Sequence, residues 1–252
     1  EVAAGEVWHE FVLYCVTHNY GGVENLSLIP GSAGAGPMQN IGAYGIELKD
    51  VFVKLNALHI DTLEMHTFSN ADCKFGYRQS IFKNEVKNQY IITSVVFRLK
   101  KNPVKFNTSY GAIEAELQRM NTDVNVKAVS QAVINIRRSK LPDPNVLGNA
   151  GSFFKNPEVT ESFFNELKQH YPDLPGYNTA AGFKKLAAGW LIEQCGWKGK
   201  VVGHTGSHKM QALVLVNYGN ATGSEIYALA QNIQSSVMDK FKVALEMEVN
   251  II

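Results

Sequence analysis

The chain has 252 residues, 45% of them hydrophobic, which is enough for one large hydrophobic core or two smaller ones. Its 24 basic and 23 acidic residues nearly cancel, and no basic run indicates a nucleic-acid partner. The longest apolar runs, such as residues 212–216, have the length of a strand, which predicts a soluble protein without a membrane span. An anionic ligand would therefore be bound by a few placed cations.

The cysteines and histidines favour neither a disulfide framework nor a metal site. Cys15, Cys73 and Cys195 are far apart and form no CxxC pair, so they are expected to be free thiols. His204 and His208 are four residues apart, but the glycines around them disfavour the helix that would bring them together. The sequence predicts no metal.

The first part of the chain reads as a helix, a glycine-dense loop and a sheet. Val7, Phe11 and Cys15 recur at helical spacing, which predicts a helix over residues 6–19 that ends before two glycines. The glycine-dense loop spans residues 29–45. Alternating apolar residues then predict strands of one sheet at residues 51–55, 62–66 and 91–99.

After about residue 102 the pattern becomes helix-rich. Apolar residues at helical spacing predict one helix that ends before Leu141 and Pro142, and its stripe consists of Val126, Val129, Val133 and Ile136. Further helices are expected at residues 160–170, 183–195 and 224–241, the last with Ser224 as a plausible N-cap. Strand patterns at residues 212–217 and 243–251 complete a second, α/β unit.

Two glycine-rich segments carry candidate chemistry. The segment Gly148–Pro157 presents a lone serine, Ser152, after glycines and before Phe-Phe-Lys-Asn. A Gly-Ser pair is usually only a turn, so this signal is weak by itself. In the loop of residues 29–45, glycines let backbone groups approach a flat ligand closely, although a purely structural loop fits the composition equally well.

Two further segments offer an arginine and a pair of acids. Arg78, within residues 75–83, has a planar guanidinium suited to a carboxylate, although lone arginines are mostly surface ion pairs. Glu246 and Glu248 fall on one face of the predicted terminal strand, a pattern that more often means a solvated face.

Four segments, residues 29–45, 75–83, 148–157 and 244–249, follow one another along the chain. Together they resemble the UDP-N-acetylenolpyruvoylglucosamine reductases, flavoenzymes that make UDP-N-acetylmuramate for bacterial peptidoglycan. The resemblance extends over nearly the whole chain. It implies an α+β fold in which the C-terminal part of a split FAD-binding domain, residues 1–140, is followed by an α/β substrate-binding domain, residues 141–252. The sequence shows no counterpart of the family's N-terminal subdomain, which binds the FAD pyrophosphate. We therefore expect the chain as given to bind FAD weakly or not at all, and to be inactive if it retains no flavin.

The resemblance implies FAD and NADPH as cofactors, UDP-N-acetylenolpyruvoylglucosamine as substrate and a cytoplasmic location, and it leaves the oligomeric state open. Reduced flavin would give a hydride to the enolpyruvyl ether of the substrate. Arg78 and Glu248 would stabilise the charge that develops on the substrate carboxylate, and Ser152 would supply a proton. These three are the implied catalytic residues.

Ligand contacts also follow from the resemblance. The implied substrate-binding residues are Tyr110, Lys140, Asn156, Tyr177, Lys198 and Gln211. The implied flavin-binding residues are Gly31, Ser32, Gly34, Pro37, Gln39, Asn40, Gly42, Ala43 and Gly45. Asn250 departs from the pattern, because many relatives have a basic residue there that reaches the flavin.

Two other functions remain open at this point. One is a nucleotide-sugar binding module without catalysis. Visible flavin absorbance retained by the purified chain would argue against this function. A related flavin oxidoreductase with another substrate shares the split flavin fold, but it should lack the Gly-Ser-Phe-Phe-Lys-Asn segment that begins at Gly151.

Overall fold

A computed structural model describes residues 1–110, 112–179 and 182–251 of the chain. The chain divides into two compact units, Glu1–Arg137 and Arg138–Ile252. Among the described residues, no helix combines the length and the apolar character needed to cross a lipid bilayer.

The first unit is built on an antiparallel sheet. The strands of the unit are β1 (Val2–Ala3), β2 (Tyr20–Gly21), β3 (Gly42–Ala43), β4 (Ile46–Glu47), β5 (Phe52–His59), β6 (Met65–Ser69), β7 (Tyr90–Phe97) and β8 (Lys100–Lys101). The helices are α1 (Trp8–Thr17), α2 (Ile113–Met120) and α3 (Val126–Lys140), whose last residues belong to the second unit. The main sheet has the strand order β1-β7-β5-β6, so the predicted single sheet is confirmed.

Two sequence predictions in this unit need correction. The second strand begins at Met65, not at residue 62, because residues 61–64 form the turn that joins β5 to β6. Val7 does not lie on the buried face of α1. It is the N-cap residue, is 53% exposed, and leaves Trp8 to begin the buried stripe.

The core of the first unit lies between α1 and the sheet. Trp8 is fully buried and donates a hydrogen bond from its indole Nε1 to the carbonyl of Leu26 at 3.0 Å, which satisfies its polar atom. Cys15 and Cys73 are buried in the same core, where burial raises their thiol pKa to about 11 and about 12. Both therefore behave as small apolar residues.

Helices α2 and α3 form a separate small cluster in the first unit. All of the residues predicted for the apolar stripe of α3 are buried, namely Val126, Val129, Val133 and Ile136. Asn125 accepts a hydrogen bond at its Oδ1 from the Ala128 N–H at 2.9 Å, which caps the start of α3. On the outer side, Glu116 of α2 accepts hydrogen bonds from Arg119 and Asn135.

The second unit contains two sheets. Its strands are β9 (Gly148–Ser152), β10 (Glu158–Thr160), β11 (Gly176–Asn178), β12 (Phe183–Leu186), β13 (Val201–Val202), β14 (Thr205–Ser207) and β15 (Val214–Asn217). Its helices are α4 (Glu161–His170), α5 (Ala188–Gln194) and α6 (Gly223–Phe241). The sheets have the strand orders β13-β14-β15-β9 and β10-β12-β11, with antiparallel pairing throughout, and α5 and α6 contribute to one core.

Three predictions in the second unit are corrected by the structure. The helix predicted over residues 183–195 is strand β12 followed by the shorter helix α5. Helix α6 is capped by Thr222, which forms a capping box with Glu225, and not by Ser224. Residues 243–251 form no strand: Val243 and Leu245 are buried between exposed neighbours as predicted, but the alternation does not continue to Ile251, which is 57% exposed.

Candidate functional site

The glycine-rich loop of the first unit is fixed to the chain that precedes α1. Gly34 N–H donates to the Ala4 carbonyl at 2.9 Å, and Ala33 N–H donates to the Glu6 carbonyl at 2.8 Å. A Cβ added at Gly34 would lie 2.5 Å from the Ala4 Cβ. Packing inside the protein therefore requires glycine at this position. The two backbone hydrogen bonds hold this part of the loop against residues 4–6.

The exposed end of the loop is the hairpin formed by β3 and β4. Its two turn residues, Tyr44 and Gly45, have φ values of 49° and 79°, and positive φ at both positions is the mark of a type I′ turn. The Asn25 side chain donates to the Tyr44 carbonyl at 3.0 Å, and the Asn107 side chain donates to the Gly45 carbonyl at 3.2 Å. The turn is thus held from both sides while Gly45 remains exposed.

Arg78 is held against this hairpin. Gly76 and Gln79 exchange two backbone hydrogen bonds of 3.1 and 3.2 Å, which leaves Arg78 in a tight turn at a φ of 55°. Its Nη2 donates to the Gly42 carbonyl at 2.7 Å, and its guanidinium lies 5.3 Å from the ring centre of Tyr77. A left-handed arginine costs about 1–3 kcal/mol, and such strain is concentrated at functional sites.

The nine residues predicted to contact flavin differ in exposure. Gly31 and Gly45 are exposed; Ser32, Gln39, Gly42 and Ala43 are half-buried; Gly34, Pro37 and Asn40 are buried. The Asn40 side chain donates to Glu47 at 3.1 Å and to the Gly76 carbonyl at 3.0 Å, and it accepts from Lys49 N–H at 3.0 Å. The Asn40 side chain therefore stabilises the turn that contains Arg78.

A half-buried tyrosine, Tyr44, and a half-buried arginine, Arg137, lie in the same unit. Burial raises the pKa of Tyr44, and the charge of Arg137 acts in the opposite direction. Burial also lowers the pKa of the Arg137 guanidinium, whose Nε donates to the Leu28 carbonyl at 3.2 Å. The sequence reasoning missed Arg137, although its place four residues after buried Val133 in α3 could have marked it.

Tyr110, a predicted substrate contact, is 45% exposed, and its Cβ lies 3.3 Å from a Cβ built at Gly45.

In the second unit, Ser152 lies at a β-bulge. Strand β9 pairs Ser152 with Val214 but Asn149 with Val216, so β9 carries one extra residue between these pairs. Gly151 adopts a φ of 73° there, and its N–H donates to the Asn149 side chain at 3.0 Å. A Cβ at Gly151 would meet no atom within 4 Å, so backbone conformation alone favours glycine. The bulge ends the strand with the serine exposed.

The terminal segment, residues 243–250, brings Glu248 to the residue that follows Ser152. Glu248 N–H donates to the Phe153 carbonyl at 2.8 Å, and Lys155 N–H donates to the Glu246 carbonyl at 2.9 Å. Glu248 is half-buried. Glu246, by contrast, forms an ion pair with Lys155, so it is more than a solvated acid.

Several predicted substrate contacts already have protein partners. The Asn156 Oδ1 accepts from Ala188 N–H at 2.9 Å, at the start of α5. Gln211 Oε1 accepts from Leu213 N–H at 3.3 Å. Lys198 is exposed and pairs with Glu193 at 2.9 Å between Nζ and Oε1.

The remaining predicted contacts are at the surface of the second unit. Tyr177 is 46% exposed on β11, directly opposite Lys185 of β12. Lys140 is exposed at the end of α3. Burial and the charge of Lys209 lower the pKa of His208, while a hydrogen bond to the Lys140 backbone acts in the opposite direction. This bond ties the end of α3 to the loop before β15.

Comparison with known proteins identifies the family. A profile of the UDP-N-acetylenolpyruvoylglucosamine reductase C-terminal domain matches residues 143–252. Curated UDP-N-acetylenolpyruvoylglucosamine reductases of Flavobacterium johnsoniae and Amoebophilus asiaticus are 56% and 53% identical to the chain, over 100% of its length and 75% and 74% of theirs. A crystal structure of UDP-N-acetylenolpyruvylglucosamine reductase from Thermus caldophilus matches with a TM-score of 0.67 at 22% identity, and covers 98% of this chain and 70% of that one.

The chain thus has a mixed helix-and-sheet fold, and the curated relatives that it matches are reductases, which places it in the oxidoreductase class. The chain belongs to the UDP-N-acetylenolpyruvoylglucosamine reductase family. The resemblance inferred from the sequence is confirmed, and so is the fold class.

Proposed function

We propose that the protein is an FAD-dependent, NADPH-using reductase that converts UDP-N-acetylenolpyruvoylglucosamine to UDP-N-acetylmuramate for peptidoglycan synthesis. The observation that supports this most strongly is the bulged end of β9, where Ser152 is exposed and Glu248 is bonded to the next residue. A hydroxyl and a carboxyl on adjoining backbone suit proton transfer to a substrate that gains negative charge.

The loop of the first unit is compatible with a flat ring. Gly31 is exposed and has open space where a Cβ would be, and the Tyr44–Gly45 turn puts backbone groups at the surface. Gly42, Ala43 and Gly45 would hold the ring through their backbone, since small residues allow close approach. Bound flavin, reduced by NADPH, would supply the hydride for the reaction.

Arg78 and Glu248 are proposed to stabilise the charge that develops on the substrate carboxylate. The Arg78 guanidinium is already oriented by its bond to the Gly42 carbonyl, so little reorganisation is needed when the substrate binds. Glu248 would act in its protonated form as a hydrogen-bond donor. Together they would make hydride addition easier, because they stabilise the negative charge that reaches the carbon beside the carboxylate.

Ser152 is proposed to donate the proton to that carbon. Serine is a weak acid in water, so its alkoxide must be stabilised or rapidly reprotonated by neighbouring groups. Tyr110, Lys140, Asn156, Tyr177, Lys198 and Gln211 are proposed to contact the nucleotide sugar.

The proposal is tested by separating the two half-reactions in a stopped-flow spectrometer. The protein is saturated with added FAD, because weak binding is expected; it should then lose its visible flavin absorbance on mixing with NADPH and regain it on mixing with UDP-N-acetylenolpyruvoylglucosamine. Ser152→Ala should leave the first step within about twofold and slow the second by at least about 10²-fold, the low end for a positioned proton donor. Wild-type flavin that is never reoxidised by the substrate would refute the proposal, and equal loss in both steps would make Ser152 structural.

A further inference from the structure

Lys155 is a buried cation with an exposed partner. Its side chain is 6% exposed, whereas the side chain of Glu246, with which it forms an ion pair, is 68% exposed. Within residues 1–110, 112–179 and 182–251, Glu246 is the only group that forms a hydrogen bond or ion pair with the Lys155 ammonium. A buried ammonium needs such a partner, because an unpaired charge out of water is strongly destabilising.

The Lys155–Glu246 pair joins two segments that otherwise share little regular pairing. Only one β-bridge, between Phe154 and Met247, connects them in the described chain, with the backbone bonds of Lys155 and Glu248 on either side of it. The terminal segment belongs to no sheet, so its register on residues 153–155 is not fixed by a longer ladder.

The pair lies close along the chain to both proposed catalytic groups of the second unit. Lys155 follows Ser152 by three residues, and Glu246 precedes Glu248 by two. A shift of the terminal segment would break the ion pair and the Glu248–Phe153 bond together, and would move the Glu248 carboxyl away from its place.

We propose that Lys155 is a positioning residue, which acts through Glu246 to fix the register of the terminal segment and hence the place of the Glu248 carboxyl. This inference rests on the proposed function of Glu248, but the anchoring itself can be measured without turnover. Lys155 never needs to contact the substrate. It acts because its own burial is tolerated only when the segment is in register.

The first measurement is amide hydrogen exchange in Lys155→Met, which removes the charge and keeps much of the length. The Glu248 amide should exchange about tenfold faster than in the wild-type protein, and amides of α6 should be unchanged. Lys155→Arg, which restores the charge, should bring the Glu248 amide back to within about threefold. The matched control is Lys74→Met, which removes an exposed lysine paired with Glu85 in the first unit.

The second measurement follows the half-reactions of the same variants. Lys155→Met should slow flavin reoxidation by substrate about tenfold or more, since small misplacements of a reacting group reduce rates steeply. Flavin reduction by NADPH should stay within about twofold. A merely structural lysine would instead lower both rates together, and Lys155→Arg would not restore the second one selectively.

Unchanged exchange of the Glu248 amide in Lys155→Met would overturn the inference, whatever the activity. If that variant fails to fold, Glu246→Gln serves in its place, because it alters an exposed side chain; it should raise the exchange of the Glu248 amide about threefold, and no change there would count equally against the inference. A wild-type protein that is saturated with FAD and still shows no reductase turnover would refute the proposed function, while the exchange experiment still decides the anchoring.

Discussion

The two units hold their proposed catalytic groups in different ways. In the first, Arg78 is fixed by a tight turn at positive φ and by a bond from its side chain to the backbone of Gly42. In the second, Ser152 and Glu248 are fixed by the pairing of segments that are far apart in the chain. The first arrangement combines a local turn with a bond across 36 residues, while the second depends on contacts between segments that are further apart in the chain, so substitutions should disturb the two units differently.

The largest effect should come from the acid on the terminal segment. Glu248→Gln keeps the size of the side chain but removes its acidic proton, and turnover should fall by at least about 10²-fold, as for a positioned acid or oxyanion donor. Steady-state kinetics with UDP-N-acetylenolpyruvoylglucosamine measure this loss, and melting temperatures check folding.

Glu246→Gln is the matched control for the acid. Its amide oxygen can still accept a hydrogen bond from Lys155, so turnover should stay within a few-fold while stability falls modestly. A larger kinetic loss for Glu246→Gln than for Glu248→Gln would show that the catalytic role has been given to the wrong glutamate.

An intermediate effect is expected from adding one methyl group to each unit. Gly34→Ala should destabilise the first unit by about 1–3 kcal/mol, because the new Cβ overlaps Ala4. Gly151→Ala has open space and should cost about 1–2 kcal/mol through its left-handed backbone alone.

Second substitutions separate these two causes. Ala4→Gly should recover part of the stability lost in Gly34→Ala, because it removes the overlapping Cβ. Gly151→Asn should be milder than Gly151→Ala, because asparagine tolerates positive φ. Urea unfolding gives all four free energies, and equal behaviour of Gly151→Asn and Gly151→Ala would contradict a conformational origin.

The smallest effect should come from a surface network of the first unit. Hydrogen bonds from Arg119 and Asn135 lower the pKa of Glu116 to about 2. Because the pKa is lowered on folding, the carboxylate stabilises the protein above its ordinary pKa of 4.5, and this contribution is lost as pH falls towards about 2.

Glu116→Gln tests this contribution. It should cost less than about 1 kcal/mol at pH 7, because the network is near the surface, and the difference from wild type should shrink below about pH 4. Urea unfolding at pH 7, 5, 4 and 3 measures it. A difference that grows as the pH falls would show that the sign of the linkage is wrong.

The sequence predicted the elements whose signal is local. Helices α1, α3 and α6 have apolar stripes at helical spacing; the predicted stripe of α3 is buried throughout, while that of α1 is buried only from Trp8 onward. Phe183 and Leu186 have the same three-residue spacing, yet they lie in a strand because β10 and β11 pair with it on either side. The pairing strands are not part of the short stretch of sequence in which apolar spacing is judged. Strand formation here is therefore decided by tertiary context.

The candidate site shows the same limit. Arg78 and Ser152 could be proposed from short motifs, and Gly151 beside Ser152 is a local sign of unusual backbone. The Lys155–Glu246 pair joins residues separated by 91 positions, and no spacing rule reveals it. The alternation of residues 243–251 correctly predicted that Val243 and Leu245 are buried, but Ile251 is exposed, and strand formation depends on a partner that only the fold supplies.

The attachment of the terminal segment to residues 153–155 has a consequence for how the protein is made. Ribosomes synthesise Ser152 well before Glu248, so the nascent chain carries the serine for some time without its neighbouring acid. A product that stops before residue 246 lacks Glu248 and leaves Lys155 buried without its partner. Premature termination should therefore yield an unstable, inactive chain that cellular proteases can remove, and not a stable protein that competes for the nucleotide sugar.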